Sequence, residues 1–319
     1  MLIKRYINVA TLVLVNFLWA AQYPAYRVAS EHMSPATLNF WTLLCSSVLL
    51  LPVLFFLKRR GAAPSDRLDV RGVVDFVLLG VFGILPPSVL LAWGIAHSTA
   101  SNAAIIQLTI PVLMVVLAVI LLGERVTLLR VASLLIALAG TVIVSWQDFG
   151  GGVSGAGMLV GNVVVFISGF GSAFYNTYSK RLLNRYGELR VLIYTYLVAC
   201  ACCAAISMLD PIPFYVLRGY PRSVWLSIGV LGALTWGVAM ALWMWVLKRL
   251  EAVQVSVSIY LLPVFGVFLS AVTLGERLRP PQIIGGLLVF VATLFASEYE
   301  NWRKKARAPR TVALTEEIR

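Results

Sequence analysis

Charge is what this sequence has least of. Asp, Glu, Lys and Arg supply 13% of its 319 residues, and hydrophobic side chains supply 60%. Soluble globular domains carry roughly 25% charged and about 45–50% apolar residues, so a water-soluble globule is excluded. Acidic residues are scarcest, 14 in all, and none falls deep in an apolar run. Asp75 stands near the start of one run, while Glu124, Asp148 and Glu276 stand at run ends. There are two histidines, His32 and His97, read as solvated loop residues. The four cysteines, Cys45, Cys200, Cys202 and Cys203, sit inside apolar runs without the spacing of a zinc site. They read as small buried hydrophobes. No nucleophile–base pair, metal spacing or phosphate-binding glycine loop is apparent, which makes an enzyme the poorest reading. Neither a cofactor nor a metal is expected.

What is abundant is long apolar sequence, with a mean hydropathy of +0.88. A helix needs about 20 mostly apolar residues to cross ~30 Å of hydrocarbon. The charge pattern separates ten such spans, at 7–29, 36–57, 72–96, 99–122, 127–146, 157–179, 189–209, 223–247, 252–274 and 280–298. The expected fold class is therefore an all-α integral membrane protein with ten transmembrane helices. Runs such as LLIALAGTVIV lack the two-residue alternation of a membrane barrel strand. The first span follows Lys4 and Arg5 but lacks a small-x-small cleavage site, so it reads as a helix and not as a signal peptide. Residues 299–319 form a polar tail, basic and then acidic, expected to be mobile.

The net charge of +12 is distributed by side. With the N-terminus cytoplasmic, 21 of the 26 Lys and Arg residues fall inside. The other five, Arg27, Arg218, Arg222, Arg277 and Arg279, fall outside. This is a positive-inside pattern. It predicts cytoplasmic termini in a cell (inner) membrane, with the lipid bilayer and not nucleic acid as the basic residues' partner.

The chain also repeats itself. PVLMVVLAVILLGER (Pro111 to Arg125) returns as PVFGVFLSAVTLGER (Pro263 to Arg277) at an offset of 152 residues. AQYPAY (Ala21 to Tyr26) faces AFYNTY (Ala173 to Tyr178) at the same offset. GVFGIL from Gly80 faces GVLGAL from Gly229 at an offset of 149. Two repeats are expected, 7–146 and 157–298, with five spans each. An odd number of spans makes the second copy enter from the opposite side, so the repeats are predicted to be inverted. Such a pair presents one gate inward and one outward, the geometry of alternating access. The Gly-Glu-Arg turns, Gly123-Glu124-Arg125 and Gly275-Glu276-Arg277, read as structural. The glycines suit a left-handed helix end, and the glutamates are expected near the N-terminus of the following helix.

These residues resemble the drug/metabolite transporter superfamily, and within it the EamA-type ten-helix transporters. The resemblance rests on the two apolar helices that begin with Pro and end in LLGER and TLGER, and on Trp19 and Arg27 in the first span. It covers about 7–298. It implies a basket of helices around a central cavity, and a secondary transporter that exports amino acids or related metabolites, including aromatic amino acids as in the YddG-type branch. Small antiporters of the same superfamily use a membrane glutamate to exchange protons for cationic drugs, and the absence of one here argues against that activity. A phosphate-ester exchanger is the alternative. It would need cations in the cavity, and Lys180, Lys248 and Arg249 already satisfy the charge rule at helix ends. One chain holds both halves of a pore, so a monomer suffices.

Polar residues inside spans are candidate substrate contacts; the competing reading for each is helix packing. Asn102 and Gln254 are repeat mates. Gln22 and Tyr26 share one helix face beside Tyr23, and Tyr175, Asn176 and Tyr178 occupy the matching stretch. Trp93, Trp236, Trp243 and Tyr260 offer flat surfaces, with Ser258 nearby. Pro86 and Pro87 interrupt span 3, and Thr235-Trp236-Gly237 is the corresponding weak point of span 8. Pro111 and Pro263 are further expected bends.

Overall fold

The structure, a computed structural model, describes residues 2–59, 68–110, 152–212, 219–247 and 261–288 with short pieces elsewhere, chiefly within 112–144. Gly123, Glu124, Arg125, Pro111, Gln254, Ser258 and Tyr260 lie outside the described residues. The described residues contain helices and no strand. They comprise α1 (Leu2–Ala20), α2 (Gln22–Ser30), α3 (Pro35–Arg59), α4 (Val70–Leu78), α5 (Leu91–His97), α6 (Ala100–Ile106), α7 (Gly152–Tyr186), α8 (Glu188–Ser207), α9 (Arg222–Gly229), α10 (Met240–Leu247) and α11 (Leu261–Leu274). Residues 280–288 are also helical.

Among the described residues, five continuous helical stretches are long and apolar enough to cross a membrane: Pro35–Arg59, Val70–His97, Gly155–Ser179, Glu188–Ser207 and Arg222–Val246. Their surfaces suit lipid. Phe55, Phe82, Val264 and Phe268 are each more than half exposed, while Asn16, Ser46, Ser168 and Thr195 are fully buried. An apolar exterior around buried hydroxyls and amides is stable only where the solvent is hydrocarbon.

Local chemistry sets the helix ends. Asp69 caps α4, its Oδ1 accepting from Gly72 N at 2.9 Å. Thr99 caps α6 by accepting from Asn102 N at 3.0 Å. Gly187 and Gly275 adopt φ values of 78° and 70°, the left-handed region that glycine enters without a Cβ clash. They end α7 and α11.

Among the described residues, two spans contain π-helix. Between α4 and α5 the chain is π-helical over Leu79–Ile84 and Pro86–Leu90. Between α9 and α10 it is π-helical over Val230–Ala239. The offset of 149 lays 230–239 onto 81–90, so the irregularity itself is repeated. In the first copy the cause is proline. The Phe82 carbonyl would accept from residue 86 in an α-helix or from residue 87 in a π-helix, and both are Pro without an N–H. That carbonyl faces α7 at Gly171, where a Cβ would lie 3.0 Å from it and 2.6 Å from Pro87 Cδ. Glycine at 171 is what lets the two backbones meet.

The first predicted span is also broken, at Ala21 between α1 and α2. Pro24 cannot donate to the Ala20 carbonyl, and the bonds spanning the break, Ala21 N to Phe17 O and Ala25 N to Ala21 O, are both 3.3 Å. Helix α8 packs along α3, α7 along the segment from Leu79 to His97, and α1 against α11, α10 and Val230–Ala239. Irregular segments of both repeats thus line the middle of the bundle.

Candidate functional site: a central uncharged cavity

A cavity with about 730 Å³ of empty space, including the part continuous with solvent, lies among these irregular segments. Trp19 and Gln22 come from either side of the α1–α2 break. Gly83, Ile84 and Pro87 come from the first π-helical segment and Leu91 from the start of α5; Thr235 and Trp236 come from the second, and Met240 and Trp243 from α10. Gln107 and Ile110 face it from the end of α6 onward, and Ser172, Tyr175 and Asn176 from α7. Ile259 and Leu262 also line it. The repeat offsets pair Pro87 with Trp236, Leu91 with Met240, Gln107 with Ile259 and Ile110 with Leu262. Among the described residues, no Asp, Glu, Lys, Arg or His lines it.

Several wall residues are locked. Trp236 Nε1 donates to Tyr26 Oη at 3.1 Å, and Tyr196 Oη donates to the Trp236 carbonyl at 2.8 Å. Asn176 Nδ2 donates to the Ser172 carbonyl at 2.9 Å, which leaves Oδ1 to accept from Trp243 Nε1 at 3.3 Å. The Asn176 amide therefore orients an indole. Trp243 in turn packs on Trp19, ring centroids 4.7 Å apart. Thr235 donates to the Leu18 carbonyl at 3.0 Å, tying the second π-helical span to α1. Gln22 makes no hydrogen bond to another described residue.

The other sequence candidates fall elsewhere. Tyr23 is buried against Gly266 of α11, where a Cβ would lie 3.0 Å from its ring. Tyr26 stands behind Trp236 and donates to Asn39 Oδ1 at 2.9 Å. Tyr178 donates to Asp75 Oδ1 at 2.7 Å, joining α7 to α4 outside the cavity. Trp93 stacks on His97 with centroids 3.8 Å apart. His97 is thus the last residue of α5 with its ring on an indole, and not a free loop histidine. Pro263 lies in α11. Trp19, Gln107, Ser172 and Met240 line the cavity without having been singled out as contacts from sequence.

Asn102 belongs to a second cluster at one end of the bundle. Gln282 Nε2 donates to Asn102 Oδ1 at 2.6 Å, and Asn102 Nδ2 donates to Asn162 Oδ1 at 3.3 Å. Ser98 Oγ also donates to Asn162 Oδ1. Glu276 corrects its expected role. Its carboxylate does not cap the helix that follows it. It accepts from Ala100 N at 3.1 Å, Ser101 N at 2.9 Å and Ser101 Oγ at 2.5 Å. Those free amides open α6, a helix of the other repeat, and the turn brings the carboxylate within their reach. A polar cavity beside Thr99, Asn102, Arg277, Arg279 and Gln282 borders this cluster.

At the opposite end, Asp69 Oδ1 also accepts from Tyr186 Oη at 3.0 Å, and Oδ2 from Arg185 at 3.2 Å. The Gly72 amide, then the Tyr186 hydroxyl and the Arg185 guanidinium, hold this carboxyl below the ordinary aspartate range.

A lipid-facing bundle of helices whose described residues line a cavity from both halves of the chain with uncharged side chains is the form of a multi-pass membrane transporter. The chain belongs to the EamA-like transporter family, whose model matches twice, at residues 7–146 and 159–297. It is similar to a probable terminal-alkyne amino-acid exporter of Streptantibioticus cattleyicolor, 29% identical over 92% of this chain and 94% of that one. The uncharacterised transporter YyaM of Bacillus subtilis is 22% identical over 92% of this chain and 94% of its own. An uncharacterised transporter of Archaeoglobus fulgidus is 22% identical over 86% of this chain and 92% of its own. One crystal structure matches the fold with a TM-score of 0.62 at 20% identity, covering 90% of this chain and 95% of that one.

Proposed function

We propose that this protein exports amino acids, aromatic ones among them, or related compounds across the cell (inner) membrane by alternating access. The reading takes ten helices as two inverted five-helix repeats, both termini in the cytoplasm, working as a monomer without a cofactor. The carrying observation is the cavity's composition: three tryptophans, a tyrosine, amides and hydroxyls, and no charged side chain among the described residues. Such a wall suits a flat apolar body with a few hydrogen-bonding groups. A sugar phosphate carries two negative charges into an apolar site, at a cost that no cation among the described wall residues offsets. The amino-acid exporter among the relatives supports the same substrate class. The paired irregular segments support alternating access, because unwound helix at mid-membrane persists where it lines a water-filled path.

The test is flux into proteoliposomes, with labelled phenylalanine, tyrosine, tryptophan and small neutral amino acids set against sugar phosphates, with and without a pH gradient. Saturable amino-acid flux is expected. Trp243→Ala lowers it by about tenfold, as loss of an aromatic contact of ~1.5 kcal/mol implies. Phosphate-ester exchange without amino-acid flux would overturn the reading.

A further inference from the structure

Gln107 is a wall residue whose orientation the structure fixes. It is 4% exposed, at the point where α6 tightens into a 3₁₀ turn over Gln107–Thr109. Its Nε2 reaches the Val165 carbonyl at 3.3 Å and Ser168 Oγ at 2.9 Å. Ser168 Oγ already donates to the same carbonyl at 2.6 Å. A carbonyl only accepts, so the amide nitrogen must face α7 and the oxygen must turn away from it. That oxygen has no hydrogen bond to any described residue, and it is not among the sealed, orphaned oxygens. Its repeat mate is Ile259, which lines the same cavity and offers nothing polar.

We infer that Gln107 Oε1 is the acceptor for the substrate's ammonium group and so determines specificity, with the apolar body turned toward Ile259, Leu262 and Met240. This rests on the amino-acid reading above. The test is counterflow of labelled phenylalanine, competed by phenethylamine, which keeps the ammonium, and by 3-phenylpropionate, which lacks it. In the wild type the amine competes at least about tenfold better, the worth of one hydrogen bond to a charged donor. Gln107→Leu closes that gap, and Ser168→Ala, which removes the shorter of the two bonds that hold the amide, narrows it. An unchanged gap, or an equal loss of every rate, overturns the assignment. If the wild type carries no phenylalanine, the substrate reading fails. The amine-over-acid ranking, read by quenching of tryptophan fluorescence, then still decides the acceptor.

A second inference comes from the Glu276 cluster, which shares no atom with the first. Six side chains join the repeats there: Ser98, Ser101, Asn102, Asn162, Glu276 and Gln282. At the offset of 152 their counterparts are Leu250, Val253, Gln254, Ala10, Glu124 and Arg130. Four of the six lose the hydroxyl or amide that makes the bond, so the sequence of the other copy keeps a carboxylate, Glu124, without these side-chain partners. The structure assigns a one-sided latch: the gate at the Glu276 end is hydrogen-bonded shut, and the resting protein opens its cavity at the opposite end. This too rests on alternating access.

A cysteine placed in the cavity, Ser172→Cys, in a background with Cys45, Cys200, Cys202 and Cys203 replaced by Ala, reports the bias through membrane-impermeant maleimide applied to each face of vesicles. With the latch intact, labelling from the opposite face is about tenfold faster. Glu276→Ala brings the two rates within about threefold, and Ser101→Ala and Gln282→Leu give intermediate ratios. An unchanged ratio in Glu276→Ala, or faster labelling from the Glu276 face at the start, overturns the latch. Should Glu276→Ala lose labelling from both faces, the two milder variants decide it by the same ratio. Flux in the same vesicles separates the two readings: flux with an unchanged ratio sinks only the latch, and a changed ratio without flux sinks only transport.

Discussion

At the residue scale, the polar side chains of this protein act mostly on backbone and on each other. Asn176 holds Trp243, and Tyr26 holds Trp236. Asp69 is the case that titrates. Its carboxylate is stabilised by Gly72, Tyr186 and Arg185, so its folded pKa lies below the ordinary unfolded value of ~3.9. A depressed carboxylate contributes stability that is fully present above the unfolded value and is lost as pH falls through the folded one. Wild type is therefore expected to unfold at a higher temperature than Asp69→Asn at neutral pH. The difference should vanish in acid below the ordinary aspartate range. A thermal-unfolding series against pH checks this, and a gap that stays constant into strong acid would contradict it.

At the element scale, repeat offsets identified which stretches face the cavity, and less reliably which side chains do. Gln22, Pro87, Tyr175, Asn176, Trp236 and Trp243 were legible and line it; Tyr23, Tyr26, Trp93 and Tyr178 were equally legible and do not. The reason is angular. A helix turns ~100° per residue, so neighbours such as Gln22 and Tyr23 point to different faces, and a repeat offset carries position without facing. Gln107 escaped notice because its mate, Ile259, is apolar, so a search for polar pairs passes over it. The retrievable signal was a lone amide four residues before Pro111. The glycine at 171 shows the same limit, since only the packed helices reveal what it faces. Gly171→Val is expected to destabilise the bundle by ~1–3 kcal/mol through overpacking against Pro86 and Pro87. Thermal unfolding in detergent reads this, and Gly157→Ala, where a Cβ meets nothing, is the control.

At the scale of the whole molecule, the sequence by itself determined the solvent and the plan. Sixty per cent apolar residues require hydrocarbon around the chain, and the offsets of 149 and 152 require two copies of one unit. Both are properties of composition and order, which exist before folding. Only the tertiary structure decided which face each helix turns inward, that Glu276 caps a helix of the other repeat, and that the described residues wall the cavity with aromatics and amides and no charge. Those outcomes depend on contacts between residues as far as 217 positions apart, as Leu18 and Thr235 are. Their hydrogen bonds are chosen by where packing leaves a donor without water, and no local pattern in the sequence encodes that.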